Sequence, residues 1–138
     1  MRYLVAIITL LISTFFAAGQ DSWKISLNKI TILVGHESNE LLNIKKIKST
    51  EWKKNGYLEV SYKEAFPNNW LHSIAFTDDL GNQLLTKDST TTAKIPIAVL
   101  RKLFAGKKQL KIYMVISPPN PMMAAPTRML HLGTLRLP

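Results

Sequence analysis

Two stretches of this chain alternate apolar and polar residues one for one, and that period decides what the chain can fold into. In Tyr57–Tyr62, Leu58, Val60 and Tyr62 fall on one side and Tyr57, Glu59 and Ser61 on the other. In Gln109–Ser117, Leu110, Ile112, Met114 and Ile116 share a face. A helix would scatter such residues around its axis, whereas a strand gathers them on one side of a sheet. Shorter runs follow the same habit. Trp23–Leu27 alternates and turns through Asn28-Lys29 into Ile30–Val34, which predicts an opening hairpin. Trp70–Thr77 sets His72, Ile74 and Phe76 on one face, and Gly81 in the turn Asp78–Asn82 supplies a positive φ before Gln83–Lys87 pairs back. Leu41–Ile47 alternates more loosely, with Leu42, Ile44 and Ile47 as inward candidates. Thr90–Ile95 reads as a strand near an edge, and Arg128–Leu137 closes the chain.

Helical signals are few. Ser49–Gly56 suggests a single turn, with Ser49 as N-cap and Gly56 as terminator. Pro96–Ala105 is the one convincing helix. Proline suits its first position, Ile97, Leu100, Leu103 and Phe104 form the apolar stripe, and Gly106 ends it. The prediction is an all-β fold: an antiparallel β-sandwich of about seven or eight strands with one short helix crossing between sheets. Its core is expected to hold Leu58, Val60, Ile74, Phe76, Ile112, Met114 and Leu132. A barrel or a β-rich α+β fold is the alternative.

The N-terminus sets the compartment. Arg2 precedes an apolar run, Leu4–Phe16, and Ala17-Ala18-Gly19 offers the small side chains a signal peptidase accepts. Residues 1–19 are therefore expected to be a signal peptide, and 20–138 a single periplasmic or secreted domain. The apolar run is short for a bilayer span, and no cysteine stands at the cleavage point to carry a lipid. Beyond residue 19 the chain holds 17 Lys+Arg against 9 Asp+Glu, a net +8. Fourteen of those cations are lysines, suited to diffuse attraction more than to forked recognition. Outside the cytoplasm the matching anions are acidic polysaccharide, lipid head groups, cell-wall polymers or an acidic protein, and nucleic acid is not expected. The same charge also keeps an exported domain soluble. With no cysteine, the domain must hold by packing, and thiol catalysis, thiolate metal sites and type 1 copper are excluded.

The pattern resembles small uncharacterised exported domains of Gram-negative Bacteroidota. The likeness rests on Trp23-Lys-Ile-Ser-Leu-Asn28, Phe104-Ala-Gly-Lys-Lys108 and Leu130-His-Leu-Gly-Thr-Leu135. It implies a periplasmic or secreted location and brings no activity with it. It would also make Asp88-Ser89-Thr90 similar to that phylum's short O-glycosylation signal, although a polar turn before a strand accounts for the same residues.

Chemistry-bearing motifs are sparse, and no cofactor is predicted. His36, His72 and His131 lie on separate segments, though Met129 and His131 share a strand face and Met114, Met122 and Met123 are soft donors, which leaves a copper-type His/Met site as the rival reading. Asp78, Asp79 and Asn82 lack the downstream glutamate of a calcium loop. No Gly-x-Ser-x-Gly elbow marks a serine hydrolase, and five scattered glutamates do not define a glycosidase pair. Binding surfaces are better supported. Lys45, Lys46, Lys48, Lys53 and Lys54 crowd around Trp52, and Arg101, Lys102, Lys107, Lys108 and Lys111 form a second group. If the two converge, they make a cationic face with an aromatic in it. The loop Pro118-Pro119-Asn-Pro-Met122-Met123-Ala-Ala-Pro126 either folds over one end of the sandwich or docks a partner. The expected function is a non-catalytic binding or assembly module for an anionic glycan, a lipid or a protein partner, with a small metal-binding or hydrolytic protein as the alternative.

Overall fold

The structure, a computed structural model, describes residues 20–138; the signal peptide expected at 1–19 lies outside them. Nine strands and two short helices follow in order: β1 (Ser22–Leu27), β2 (Ile30–Gly35), β3 (Ile44–Lys46), α1 (Ser49–Trp52), β4 (Tyr57–Lys63), β5 (Leu71–Thr77), β6 (Gln83–Asp88), β7 (Thr92–Pro96), α2 (Ile97–Leu103), β8 (Gln109–Ser117) and β9 (Arg128–Arg136). They form a four-stranded sheet, β2-β1-β4-β7, and a five-stranded sheet, β3-β9-β8-β5-β6. The fold is the β-sandwich that the period-two segments demand. Every pair is antiparallel except β3 with β9, where a three-residue edge strand runs parallel.

The two inner faces mesh into one core. All seven residues expected there are at most 1% exposed. Trp23 ties the sheets together: its indole N–H donates to the Leu132 carbonyl at 2.8 Å, while its ring stacks on Tyr62. Gly35 lies against that ring, where an added Cβ would come within 2.3 Å of the indole nitrogen. The hairpin β1–β2 turns through Asn28 and Lys29, whose φ angles of 52° and 67° are those of a primed turn matched to strand twist.

Helix α2 crosses from the edge strand β7 to β8. The helix is shorter than the expected Pro96–Ala105: Pro96, extended as the last residue of β7, is its N-cap, and Ile97 takes the first helical position. Ile97, Leu100 and Phe104 are buried, and Gly106 with φ 77° follows its end. Leu103 departs from the expected stripe and is 37% exposed. Three local expectations need correction. Ser49 is the first residue of α1 rather than its cap, since Lys48 holds that place with no side-chain bond. Gly56 is there for close approach, because a Cβ would collide with the Asn28 side chain. Leu42 points outward: Asn39 accepts the Leu41 and Leu42 amides in a tight turn, and Asn43 is buried in its place, donating to the Glu37 carbonyl at 2.9 Å.

Candidate functional site

β2 and β3 are the edges of different sheets, and no strand bridges them. The sandwich stays open there. The gap is a groove of about 250 Å³ with Leu27, Ile30, Ile32 and Ile47 as its apolar floor, and Lys45, Lys46 and Lys48 along its rim. Local structure explains the arrangement. A bulge between Ile25 and Ser26 shifts the β1–β2 register and leaves Ile32 without an opposite residue. Across the gap, Ile47 turns inward as its amide donates to the Arg136 carbonyl at 2.9 Å, so the lysines on either side of it stay in solvent. Ile30 remains 62% exposed at the mouth of this groove. The acid at the groove, Glu51, is already engaged. Lys54 Nζ reaches its Oε1 at 2.9 Å and the Asn28 amide its Oε2 at 3.0 Å, and these partners hold its carboxyl below the usual range.

The basic residues singled out in the sequence therefore divide. Lys45, Lys46 and Lys48 surround the groove; Lys53 is exposed outside it, and Lys54 is on Glu51. Trp52 is half-buried against the core rather than displayed among the lysines. Of the second group, Arg101 reaches the first: its guanidinium donates to the Trp52 and Lys54 carbonyls at 2.7 and 3.1 Å and to Asn55 Oδ1 at 3.2 Å. Those bonds leave it a clamp on the α1 loop. Lys107 is likewise committed, bound to the fully buried Asp78 at 3.0 Å. Burial pushes the Asp78 carboxyl up, but bonds from the Asn82 side chain and amide, Lys107 and the Leu80 amide outweigh it and hold the group far below the carboxylate range. Asp78 is thus the organiser of the β5–β6 turn.

The other candidates are dispersed. In the proline-methionine loop, Pro118 and Pro119 are half-buried, while Asn120 caps a turn that leaves Met122 89% and Met123 44% exposed. Its base docks and its tip stands free. Met114 is in the core and Met129 is exposed. His131 is buried beneath residues 38–43: its amide donates to Ser38 Oγ at 2.8 Å, its Nε2 lies 2.8 Å from Thr134 Oγ1, and Tyr113 packs edge-on at 5.5 Å while donating to Glu40 at 2.6 Å. Among the described residues no group of three or more His, Asp or Glu gathers in a metal-holding arrangement.

Sequence reasoning missed the groove floor, because Ile30 and Ile32 read as ordinary strand residues. Their flanking by Lys45–Lys48 is a contact between sheets that no local pattern encodes. It also missed Glu64, which pairs with His72 at the far end of the molecule. In comparisons with known proteins, no family model, no curated protein and no solved structure matches the chain.

Proposed function

We propose that the chain is an exported, non-catalytic binding module that holds an anionic amphiphile in the groove between β2 and β3. The observation that carries this reading is the pairing of an apolar floor with three lysines that have no carboxylate within 4.0 Å among the described residues. An alkyl chain laid on Leu27, Ile30, Ile32 and Ile47 would remove apolar surface from water, worth roughly 0.8 kcal/mol per buried methylene. A phosphate or carboxylate head would then lie among ammonium groups, which act as point charges and tolerate several head-group geometries. The signal-like N-terminus and the net charge of +8 beyond it fit a module that meets such ligands outside the cytoplasm.

Titrating the purified protein with monomeric dodecyl phosphate, at low and at physiological salt, tests the reading. Saturable binding should weaken steeply with salt, since exposed charges are screened beyond about 8 Å at physiological ionic strength. The neutral dodecyl maltoside, which keeps the chain and loses the charge, should compete more weakly and without the salt dependence. Anionic vesicles in a parallel arm separate the two sources of the same chemistry: a free amphiphile saturates the groove whether or not vesicles bind, whereas a bilayer lipid is engaged only in the vesicle arm. Binding that is absent in both arms, or unchanged when Lys45, Lys46 and Lys48 become Glu, overturns the proposal.

A further inference from the structure

At the end opposite the groove, two hollows of about 330 and 440 Å³ share one wall, the half-buried Trp70. Each is at the small end of the range ligand pockets occupy, about 300–1,000 Å³. The first is bounded by Asp21, Glu64, Phe66, Asn68 and Arg128. The second is bounded by His72, Ser89, Thr90 and Thr91. Glu64 and His72, whose side chains are 11% and 10% exposed, are hydrogen-bonded to each other and link the two.

The chemistry of this cleft differs from that of the rest of the surface. Asp21 spends both oxygens inside the protein, accepting from the Tyr62 hydroxyl and from the Ala65 amide. Glu64 spends only Oε1 on His72, and Asn68 spends only Oδ1, on the Trp70 amide at 2.9 Å. Glu64 Oε2, the Asn68 NH₂, the Ser89 hydroxyl and an Arg128 guanidinium with no carboxylate within 4.0 Å among the described residues therefore remain for a ligand. In a chain with a strong cationic excess, two carboxylates here offset the arginine and remove the attraction for an anion. Donors and acceptors line the same hollows as two aromatic residues, Trp70 and Phe66, and Phe66 is 76% exposed. A pyranose ring needs this combination. Its hydroxyls both donate and accept, and its C–H face packs on an aromatic ring.

We infer that the cleft across Trp70 binds a neutral oligosaccharide, with one sugar ring in each hollow and Trp70 between them. The site uses none of the groove residues, so the two proposals stand or fall separately. Strand ends fix its geometry: Asp21 precedes β1, Glu64 follows β4, Trp70 precedes β5, Ser89 follows β6 and Arg128 opens β9.

The test is two-dimensional amide NMR of the purified protein with malto-, cello-, chito-, manno- and xylotriose, each at millimolar concentration. At least one should shift the Trp70 indole and Asn68 side-chain signals saturably and leave Ile32 and Ile47 unmoved. Phe66→Ala, at an exposed position, should weaken that binding about tenfold, as should Asn68→Ala; Lys45→Glu should not change it. Trp70→Ala should abolish it, and because Trp70 also packs on the core, the two exposed variants carry the decision. Three results overturn the inference: no saturable shift with any of the five sugars, shifts that persist in both Phe66→Ala and Asn68→Ala, or shifts produced by a mixed tripeptide pool and by no sugar.

Discussion

The two ends of β9 are built on opposite terms. Near Arg136, the parallel strand β3 carries lysines with no carboxylate within 4.0 Å among the described residues, beside an apolar gap that the fold leaves open. Near Arg128, roughly 25 Å away by strand rise, two acids are tied into the fold. There Asp21 holds Tyr62 and the Ala65 amide, and Glu64 holds His72. Burial and the Asp21 bond both raise the Tyr62 phenol far above its ordinary value. The contrast teaches which residues the fold needs. Removing Asp21 or Glu64 orphans another group, whereas no side-chain hydrogen bond or ion pair among the described residues uses Lys45, Lys46 or Lys48. Changes at Asp21 and Tyr62 should therefore register as stability, and changes at the groove lysines as binding.

The largest expected effect breaks the structured end. Asp21→Ala removes two bonds to a carboxylate and leaves a phenol and an amide unsatisfied, which should cost about 3 kcal/mol in denaturant unfolding. Tyr62→Phe, which keeps the ring on Trp23, should cost about half as much. A loss below 0.5 kcal/mol for Asp21→Ala, a rough bound for neutral surface changes, would mean the cleft end is not held as described.

Next comes a substitution beside the groove that should act through structure. Gly56→Ala places a Cβ 1.6 Å from Asn28 Oδ1, so the amide that holds Glu51 must move. Overpacking of this kind costs about 2 kcal/mol. It should also free Glu51 to compete for the groove lysines and weaken dodecyl phosphate binding, read by the same titration.

A third effect lies between the two ends. Burial pushes the His131 imidazole below its ordinary value, against the pull of Glu40 and with the help of Lys111. Its folded form binds a proton less readily than the unfolded chain does, so its contribution to stability is complete above the unfolded value, about 6.5. That contribution is lost as pH falls from there through the lower folded value. Urea midpoints should decline over that window in the wild type, and His131→Gln should flatten the decline. The Asp78 contribution follows the carboxylate sign: it is present above about 3.9 and lost only in stronger acid.

How much of this was legible in the sequence depended on the range of the pattern. The core positions could be read because period two is a local signal; Leu58, Val60, Ile112 and Met114 each declare a face through their neighbours. The turns at Gly81 and Gly106 could be read for the same reason. β3 could not be read as a parallel strand, since three residues carry no period and their pairing with Thr134–Arg136 is set by distant chain. Leu42 misled because the Asn39 turn outweighs apolar spacing. His72 was read as one more residue on the face of Ile74 and Phe76. A histidine on an apolar face needs a polar partner, and Glu64, eight residues earlier and just past the end of β4, supplies it. The groove follows from which strands end at each sheet's edge, and that is a property of topology alone.

The smallest expected effect sharpens the other side of the comparison. Lys45, Lys46 and Lys48 together replaced by Glu should shift stability by no more than about 0.5 kcal/mol, because exposed charges contribute little. Charged residues also keep an edge strand from pairing with other chains, and glutamate preserves that protection while reversing the sign. Lys53→Glu, outside the groove, is the matched control and should leave both stability and binding alone.

The most direct measurement of the central claim is a chemical-shift map of the protein titrated with dodecyl phosphate. Shifts confined to Leu27, Ile30, Ile32, Lys45, Lys46 and Ile47, saturating with a single affinity and lost in the triple glutamate variant, are the predicted result. Shifts spread over Lys53, Lys102 and Lys108 with the floor residues unmoved would contradict it, because the charge would then be acting as a general cationic surface and the groove would hold nothing.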